Sequence, residues 1–293
     1  MTQKVLSSDA CVLCGGPQRA RYHLGSHRLL YCPRCKLGQL SPLPTDAELQ
    51  ALYASEEYFA GDGAGYADYA ADDPQHARSF RARLEWLLRS GTVDDLLEIG
   101  CGPGLFLVEA RRLGVPHVVG VDPNPWAVAQ ARARGVDAHV GSIDAIDAGP
   151  RFDAIVMLDV LEHVVAPLPF LAAVRARLRP GGRLLVMTPN IRSLLARVSG
   201  RRWVSLKPPE HVRYYSPRSV RRVLRAAGFD VLTMRAARQY VTVAFVLTRL
   251  ERLVPRQGRV LRRVAAALRL SDRVVFVTNG SIDVLSRPST SIP

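Results

Sequence analysis

Residues 95–112 read DLLEIGCGPGLFLVEARR. A short apolar run closed by an acid, three glycines at alternate positions and a renewed apolar stretch predict a strand, a tight turn and a helix. Glycines in such a turn allow a sharp reversal and let a ligand lie against the backbone. The loop alone serves several kinds of nucleotide cofactor, so its surroundings decide. Glu98 closes the strand before the turn, and Asp122 ends the next strand, 22 residues after Gly100. An ionised carboxylate only accepts hydrogen bonds, which suits a ribose diol; the alternative role for Asp122 is to cap the helix that starts at Pro125. No G-K-[ST] follows, which excludes a P-loop. Gly104 comes one residue early for a dinucleotide fingerprint.

Outward from this stretch the pattern repeats. Helices are predicted over 76–89, 105–113, 125–134 and 167–178, and strands over 95–99, 118–121, 138–140, 152–158 and 182–188, the last after the turn Pro180-Gly181-Gly182. Strands separated by helices of about ten residues imply an α/β, doubly wound parallel sheet. Ligands in such sheets bind beyond the carboxyl ends of the strands.

The chain of 293 residues has room for one large domain with an appendage. Its 48% hydrophobic and 23% charged residues suit a packed globular protein. No apolar run approaches the ~20 residues of a spanning helix, and MTQKVLSSDACVLCGG lacks the apolar core of a signal peptide, so a cytoplasmic, reducing location is expected. The net charge of +14 is uneven. Residues 190–293 hold 21 Lys+Arg against 5 Asp+Glu, and residues 1–189 hold 19 against 21.

Four of the five cysteines lie near the start. Cys11-x2-Cys14 and Cys32-x2-Cys35, 17 residues apart, have zinc-site spacing. Each turn aims two thiolates at one metal, and four sulfurs close a tetrahedron, so Zn2+ here is structural. Redox dithiols are the alternative, and His23 or His27 the alternative ligands. The domain reading is a zinc-ribbon-like segment over 1–40, a connector over 41–75 and a catalytic domain over 76–293, with a basic helical lid over about 190–275.

LLEIGCGPG, VVGVDPNP, FDAIVMLDVLEHV and LRPGGRLLVMTPN, in that order, resemble the motifs of class I S-adenosylmethionine-dependent methyltransferases. WVSLKPPEHVRYYSPRSVRRVLRAAGFDV is similar to the post-sheet segment of the ubiquinone-biosynthesis O-methyltransferase subgroup and extends the match to about residue 232. The resemblance implies a seven-stranded, mostly parallel, Rossmann-like sheet whose last strand, at 282–286, is antiparallel. It implies S-adenosylmethionine as cofactor: Gly100, Cys101, Gly102 and Gly104 along its methionine part, Glu98 near its amino group, and Asp122 with Pro123 at the ribose. Asp144 is assigned to the adenine amino group, although the family often places that acid where this chain has Ser142; a solvated loop acid is the alternative. Leu158 lines the cofactor.

Methyl transfer to a hydroxyl or amine also needs a proton acceptor. Glu162 and His163 follow the fourth strand; in the quinone enzymes the similar E-x-x-E-H residues are associated with a divalent cation, but here the first position is Asp159. They take part in catalysis or merely order the turn. In KPPEHVRYY, His211 is the first candidate for a base, with a packed loop anchor as the alternative. The cysteine pairs with a Tyr/Phe-rich connector resemble bacterial methyltransferases encoded with glycan or secondary-metabolite pathways, so the expected acceptor is a small molecule: a sugar, a lipid-linked glycan precursor or a specialised metabolite. An RNA methyltransferase and a non-catalytic scaffold are the alternatives. Nucleic acid is disfavoured because the N/D-P-P-Y/F motif and a catalytic cysteine pair after strand 4 are absent. The basic last third is open to three readings: solvated arginines, an anionic membrane surface, or phosphate binding.

Overall fold

The computed structural model describes residues 10–54, 74–147, 149 and 151–290. The Gly- and Tyr-rich part of the predicted connector, 55–73, lies outside the described residues, as do 1–9 and 291–293. The described elements are, in chain order, β1 (Arg19–Leu24), β2 (His27–Tyr31), β3 (Gly38–Ser41), α1 (Asp46–Ala54), α2 (Pro74–Leu88), β4 (Asp95–Ile99), α3 (Leu105–Arg112), β5 (His117–Asp122), α4 (Pro125–Ala133), β6 (Asp137–Val140), β7 (Phe152–Leu158), α5 (Pro167–Ala176), β8 (Leu178–Pro189), α6 (Leu194–Ser199), β9 (Arg213–Tyr214), α7 (Pro217–Ala226), β10 (Phe229–Thr242), α8 (Val243–Leu253), α9 (Pro255–Ala267) and β11 (Val274–Pro288).

The main sheet has seven strands in the order β10-β11-β8-β7-β4-β5-β6. β8, β7, β4, β5 and β6 are parallel, and β11 and β10 join antiparallel. Both faces are buried, so successive strand residues serve opposite cores. Leu97, Ile99, Ile155, Met157 and Val186 face α5 and α7 through Leu171, Val174, Val220 and Leu224. Leu96, Ala154, Val156, Leu158 and Leu185 face α2 and α3 through Phe80, Leu84, Leu87, Phe106 and Leu107.

The last third, expected to be mostly helical with strand-like patches near Val231 and Ile282, holds longer strands than that. Residues 229–242 and 274–288 are long strands, and the inserted helices α8 and α9 occupy only 243–267. Register shifts at Val231/Thr233 and Ala236/Arg238 break the two-residue alternation that marks a strand, and β10 is the edge strand of the sheet. The Pro180-Gly181-Gly182 triplet, expected as a turn, is an irregularity within β8: Phe152 pairs with Leu178 and Ala154 with Arg183.

The cysteine segment is joined to the main domain by backbone pairing. Its antiparallel sheet has the order β1-β2-β3-β9, so its fourth strand comes from residues 213–214. β3 crosses the expected boundary at residue 40, and Cys11, Cys32, Cys35 and Leu37 belong to the same apolar cluster as Ile99 and Met157.

One buried ion pair ties α2 to the antiparallel edge. Arg83 Nε lies 3.1 Å from Asp283 Oδ1, both side chains almost wholly buried, and Arg235 approaches Asp283 Oδ2 at 3.2 Å. Replacing Asp283 by alanine leaves the Arg83 guanidinium buried without its ion-pair partner and is expected to destabilise the fold by about 3–5 kcal/mol. Chemical denaturation measures this; a loss under about 1 kcal/mol would show the pair to be dispensable.

Candidate functional site

The turn after β4 is fixed from two sides. The Gly100 and Cys101 amides both donate to the Val121 carbonyl of β5, at 2.8 and 3.1 Å. Gly100 has φ +73°, and a Cβ there would lie 2.4 Å from Val160 Cγ2. Gly104 has φ +80°, and a Cβ there would meet the Ala131 Cβ of α4 at 2.9 Å. Glycine at 100 keeps the turn open beside the strand ends, whereas Gly104 lets α3 pack against α4.

Above this turn lies a cavity of about 340 Å3, a volume suited to a small ligand. Glu98, Gly100, Cys101, Gly102, Asp122, Pro123 and Leu158 all line it. Gly104 is not among the lining residues. Nor is Asp144, which is exposed on the 3-10 turn Ile143–Ala145; Gly141 and Ser142 reach the cavity instead. The adenine assignment to Asp144 therefore lacks support from the geometry, because the turn directs that side chain to solvent.

Asp122 accepts hydrogen bonds from the Gly102 amide (2.8 Å, Oδ2) and the Asn124 amide (2.9 Å, Oδ1). Each carboxylate oxygen has two acceptor sites, so both keep one for a ligand. The helix-capping alternative falls to Asn124, whose Oδ1 accepts from the Ala127 amide at 3.0 Å. Burial pushes Asp122 up to about 6 against the pull of its two amide partners. Glu98 is raised well above the usual carboxylate range by burial and by Asp122 nearby. Its buried Oε2 has no hydrogen-bond partner among the described residues. Two buried acids and an orphaned carboxylate oxygen suit a ligand carrying an ammonium group and a diol, and S-adenosylmethionine has both.

The second half of the cavity is lined by Tyr53, Phe80, Asp159, His163, Val164 and Phe170. Asp159 adopts φ +54°. It and Glu162 are raised by burial and lie within mutual hydrogen-bonding range, so the pair retains a proton more readily than free carboxyls do. Glu162 Oε2 accepts from Thr188 Oγ1 at 2.9 Å. His163 Nδ1 shares a hydrogen bond of 3.1 Å with the Tyr53 hydroxyl, and burial holds the ring down to about 4, so it is neutral at neutral pH.

His211 stands behind His163. Their rings meet edge to face at 4.7 Å. His211 is buried, its Nδ1 lies 2.9 Å from the Ser205 carbonyl, and Nε2 has no partner among the described residues. A carbonyl only accepts, so Nδ1 carries the proton and Nε2 presents a lone pair. His211, the first candidate from the sequence, does not line the cavity, whereas His163 does, with the His211 ring packed against it. Ligand atoms of Glu162, His163 and His211 all lie within 4.8 Å of one another, a carboxylate and two imidazoles in a set able to hold a divalent cation.

The four cysteine sulfurs form a second such set, also within 4.8 Å. Zn–S bonds of ~2.3 Å in a tetrahedron require S···S edges of ~3.8 Å, and Cys14 and Cys32 sulfurs are 3.7 Å apart. The two turns are alike: the amides of Gly15 and Lys36 donate to the carbonyls of Cys11 and Cys32 at 2.8 Å, and both residues have positive φ. All five cysteines are free thiols, and neither His23 nor His27 joins the set. The donor set fits a zinc ribbon.

Backbone bonds run from this set to the cavity. Gly38 and Gln39 pair with Tyr214 and Arg213, the Leu40 amide donates to the Val212 carbonyl (3.0 Å), and the Val212 amide donates to the Glu162 carbonyl (3.0 Å). His211 directly precedes Val212.

Reading the sequence did not single out Tyr53, Asn124 or Phe80 as cavity residues. Their only local signal was helical periodicity or a cap, because each reaches the cavity through tertiary packing.

The profile of the methyltransferase domain family matches residues 69–234, more than half of the chain. The ubiquinone biosynthesis O-methyltransferase of Cereibacter sphaeroides is 32% identical over 148 residues, which cover 46% of this chain and 60% of that one. The Bradyrhizobium sp. protein of the same name is 38% identical over 101 residues, 32% of this chain and 40% of that one. The chain thus spans at most about 60% of the length of these curated relatives. Among solved structures, magnesium protoporphyrin IX methyltransferase from Synechocystis PCC 6803, with bound SAH, is 15% identical, covers 84% of this chain and 100% of its own, and has a TM-score of 0.53. A chain of the complex between the Haloferax volcanii Trm112 methyltransferase activator and a methyltransferase is 17% identical, covers 78% and 97%, and has a TM-score of 0.55. These two likenesses concern the fold.

Proposed function

The chain belongs to the methyltransferase domain family, and from that premise we propose that it transfers the methyl group of S-adenosylmethionine to a small-molecule acceptor. The observation that carries this reading is the orphaned Glu98 carboxylate oxygen beside Asp122, over a glycine turn that leaves backbone open to a ligand. Glu98 would hold the cofactor's ammonium group and Asp122 its ribose diol, with Leu158 and Ser142 beside the rest. When bound, the cofactor supplies a methyl group on a good leaving group, so the protein's share is alignment and closeness.

The acceptor side is mostly apolar, with Tyr53, Asp159 and His163 as its polar groups. That lining suits an apolar or lipid-linked acceptor bearing a hydroxyl or amine. The neutral His163 ring, joined to the Tyr53 hydroxyl, is positioned to receive the acceptor's proton. Glu162, whose carboxylate lies within 4.8 Å of a His163 ring nitrogen, would offset the imidazolium charge that follows, against the opposing charge of Lys207. His211 packs the His163 ring from behind and is a positioning residue. The cysteine set holds a structural Zn2+ and contributes no atom to the reaction.

Labelled cofactor incubated with total metabolite, lipid and RNA pools tests the reading. Label is expected in a small molecule or lipid. His163→Ala is expected to cut transfer by ~10²–10⁴ while cofactor affinity stays within a few-fold; unchanged transfer would remove His163 from the chemistry. Label that ribonuclease releases would favour RNA, and cofactor binding without transfer to any pool would favour a scaffold.

A further inference from the structure

The insertion between β10 and β11 carries a surface that the cavity does not use. β11 pairs with β8 only as far as Ser281 against Pro189, whereas the β10–β11 ribbon continues through Arg238↔Thr278 to Thr242↔Val274. α8 and α9 therefore lie past the carboxyl end of β8, the end of the sheet at which the cavity is found. α9, PRQGRVLRRVAAA, contains four arginines and no acid.

At 100° per residue its faces separate cleanly. Gly258 and Ala265 are buried on one side. Val260, Leu261 and Val264, with Leu268 just past the helix end, form an adjoining stripe that is 60%, 45%, 47% and 63% exposed. Arg256 and Arg263 border this stripe along one edge, exposed and without an ion pair among the described residues; Arg259 and Arg262 turn toward Glu251 of α8. Large aliphatic side chains left in water beside unpaired guanidinium groups match a surface whose inner layer is apolar and whose outer layer is anionic.

We propose that α9 docks on an anionic lipid bilayer, with Leu261, Val264 and Leu268 entering the acyl boundary and Arg256 and Arg263 at the headgroup phosphates. A nucleic-acid surface would use the arginines but leave the aliphatic stripe in water. A second copy of this chain would set the two like-charged flanks against each other. The docking does not depend on the methyl-transfer reading, since binding is measured without turnover.

The test is co-sedimentation of the full chain with vesicles of phosphatidylcholine alone or mixed with phosphatidylglycerol. Binding is expected to the mixed vesicles and to fall steeply with added salt. Arg256→Gln with Arg263→Gln is expected to weaken it roughly twentyfold, each basic residue contributing about fivefold. Leu261→Asp with Leu268→Asp is expected to weaken it at least tenfold. Cofactor affinity and melting temperature should be unchanged in both variants, because these side chains are exposed. Equal binding to both vesicle types, or wild-type binding by the aspartate variant, overturns the proposal. So does a dimer in vesicle-free solution that the leucine substitutions dissociate, or RNA binding that they leave intact.

Discussion

Replacing Cys32 by serine, or stripping the metal with a chelator, is expected to take the ribbon and the acceptor side of the cavity down together while sparing the cofactor side. Closed four-cysteine zinc sites contribute on the order of 10–16 kcal/mol in isolated fingers, far more than the few buried side chains of a segment this short. The consequence spreads because β3, which begins three residues after Cys35, pairs with β9, and β9 follows His211 and Val212. Losing the metal frees β3, strips 212–214 of their β3 partners, leaving only the Val212 amide on the Glu162 carbonyl, and loosens the support behind His163. Glu98 and Asp122 sit at the ends of β4 and β5, held by the parallel sheet. Zinc content should fall below one per chain, and amide exchange should rise over 28–41 and 205–215. Methyl transfer should be lost, with the cofactor dissociation constant changed by less than about fivefold. A Cys32→Ser chain that keeps protection over 212–214 would show that the ribbon folds without metal and that the coupling is absent.

The second large effect is expected at Asp122. Alanine there removes the acceptor for the ribose and the anchor for the Gly102 and Asn124 amides in one change. Hydrogen bonds to a charged group are worth about 1.5–3 kcal/mol each, so cofactor affinity should fall by ~10²–10³. Calorimetry measures this, with Asp122→Asn as the variant that keeps the shape. The wild-type pH profile gives an independent readout. Asp122 is raised from 3.8 to about 6, so the carboxylate is present above that pH and becomes an acid below it. Affinity should decline as pH falls through 6; the asparagine variant should lose the part of that decline that belongs to Asp122 and keep the part that belongs to Glu98. For folding the sign is opposite. A raised carboxyl favours the folded chain at low pH, and that contribution, about 3 kcal/mol for a shift of this size, is lost as pH rises through 6. Burying an ionised Asp122 strains the ligand-free fold, and a cationic ligand relieves it. Affinity within threefold of wild type in Asp122→Ala would mean that the ribose lies elsewhere.

What could be read from the chain alone followed from local rules. Apolar runs between glycines, and helices of about ten residues between them, specify a doubly wound parallel sheet because each strand must be buried on both faces. The loop at 98–104, the acid at 122 and the two cysteine pairs are short-range patterns whose chemistry is carried by spacing, and all of these residues except Pro103 and Gly104 line the cavity or belong to the four-cysteine set. The antiparallel edge was harder to read. Bulges in β10 break the period of two, and arginines on its exposed side look like those of a solvated helix.

Tertiary structure alone decided which histidine lines the cavity, that Ser142 lines it while Asp144 does not, and that Tyr53 comes from far upstream to meet His163. It also decided that the four-cysteine segment shares a sheet with residues 213–214. These are contacts between residues separated by tens to hundreds of positions. No local periodicity or motif encodes them, because their geometry is set by how the faces of the sheet are covered and by where the chain returns.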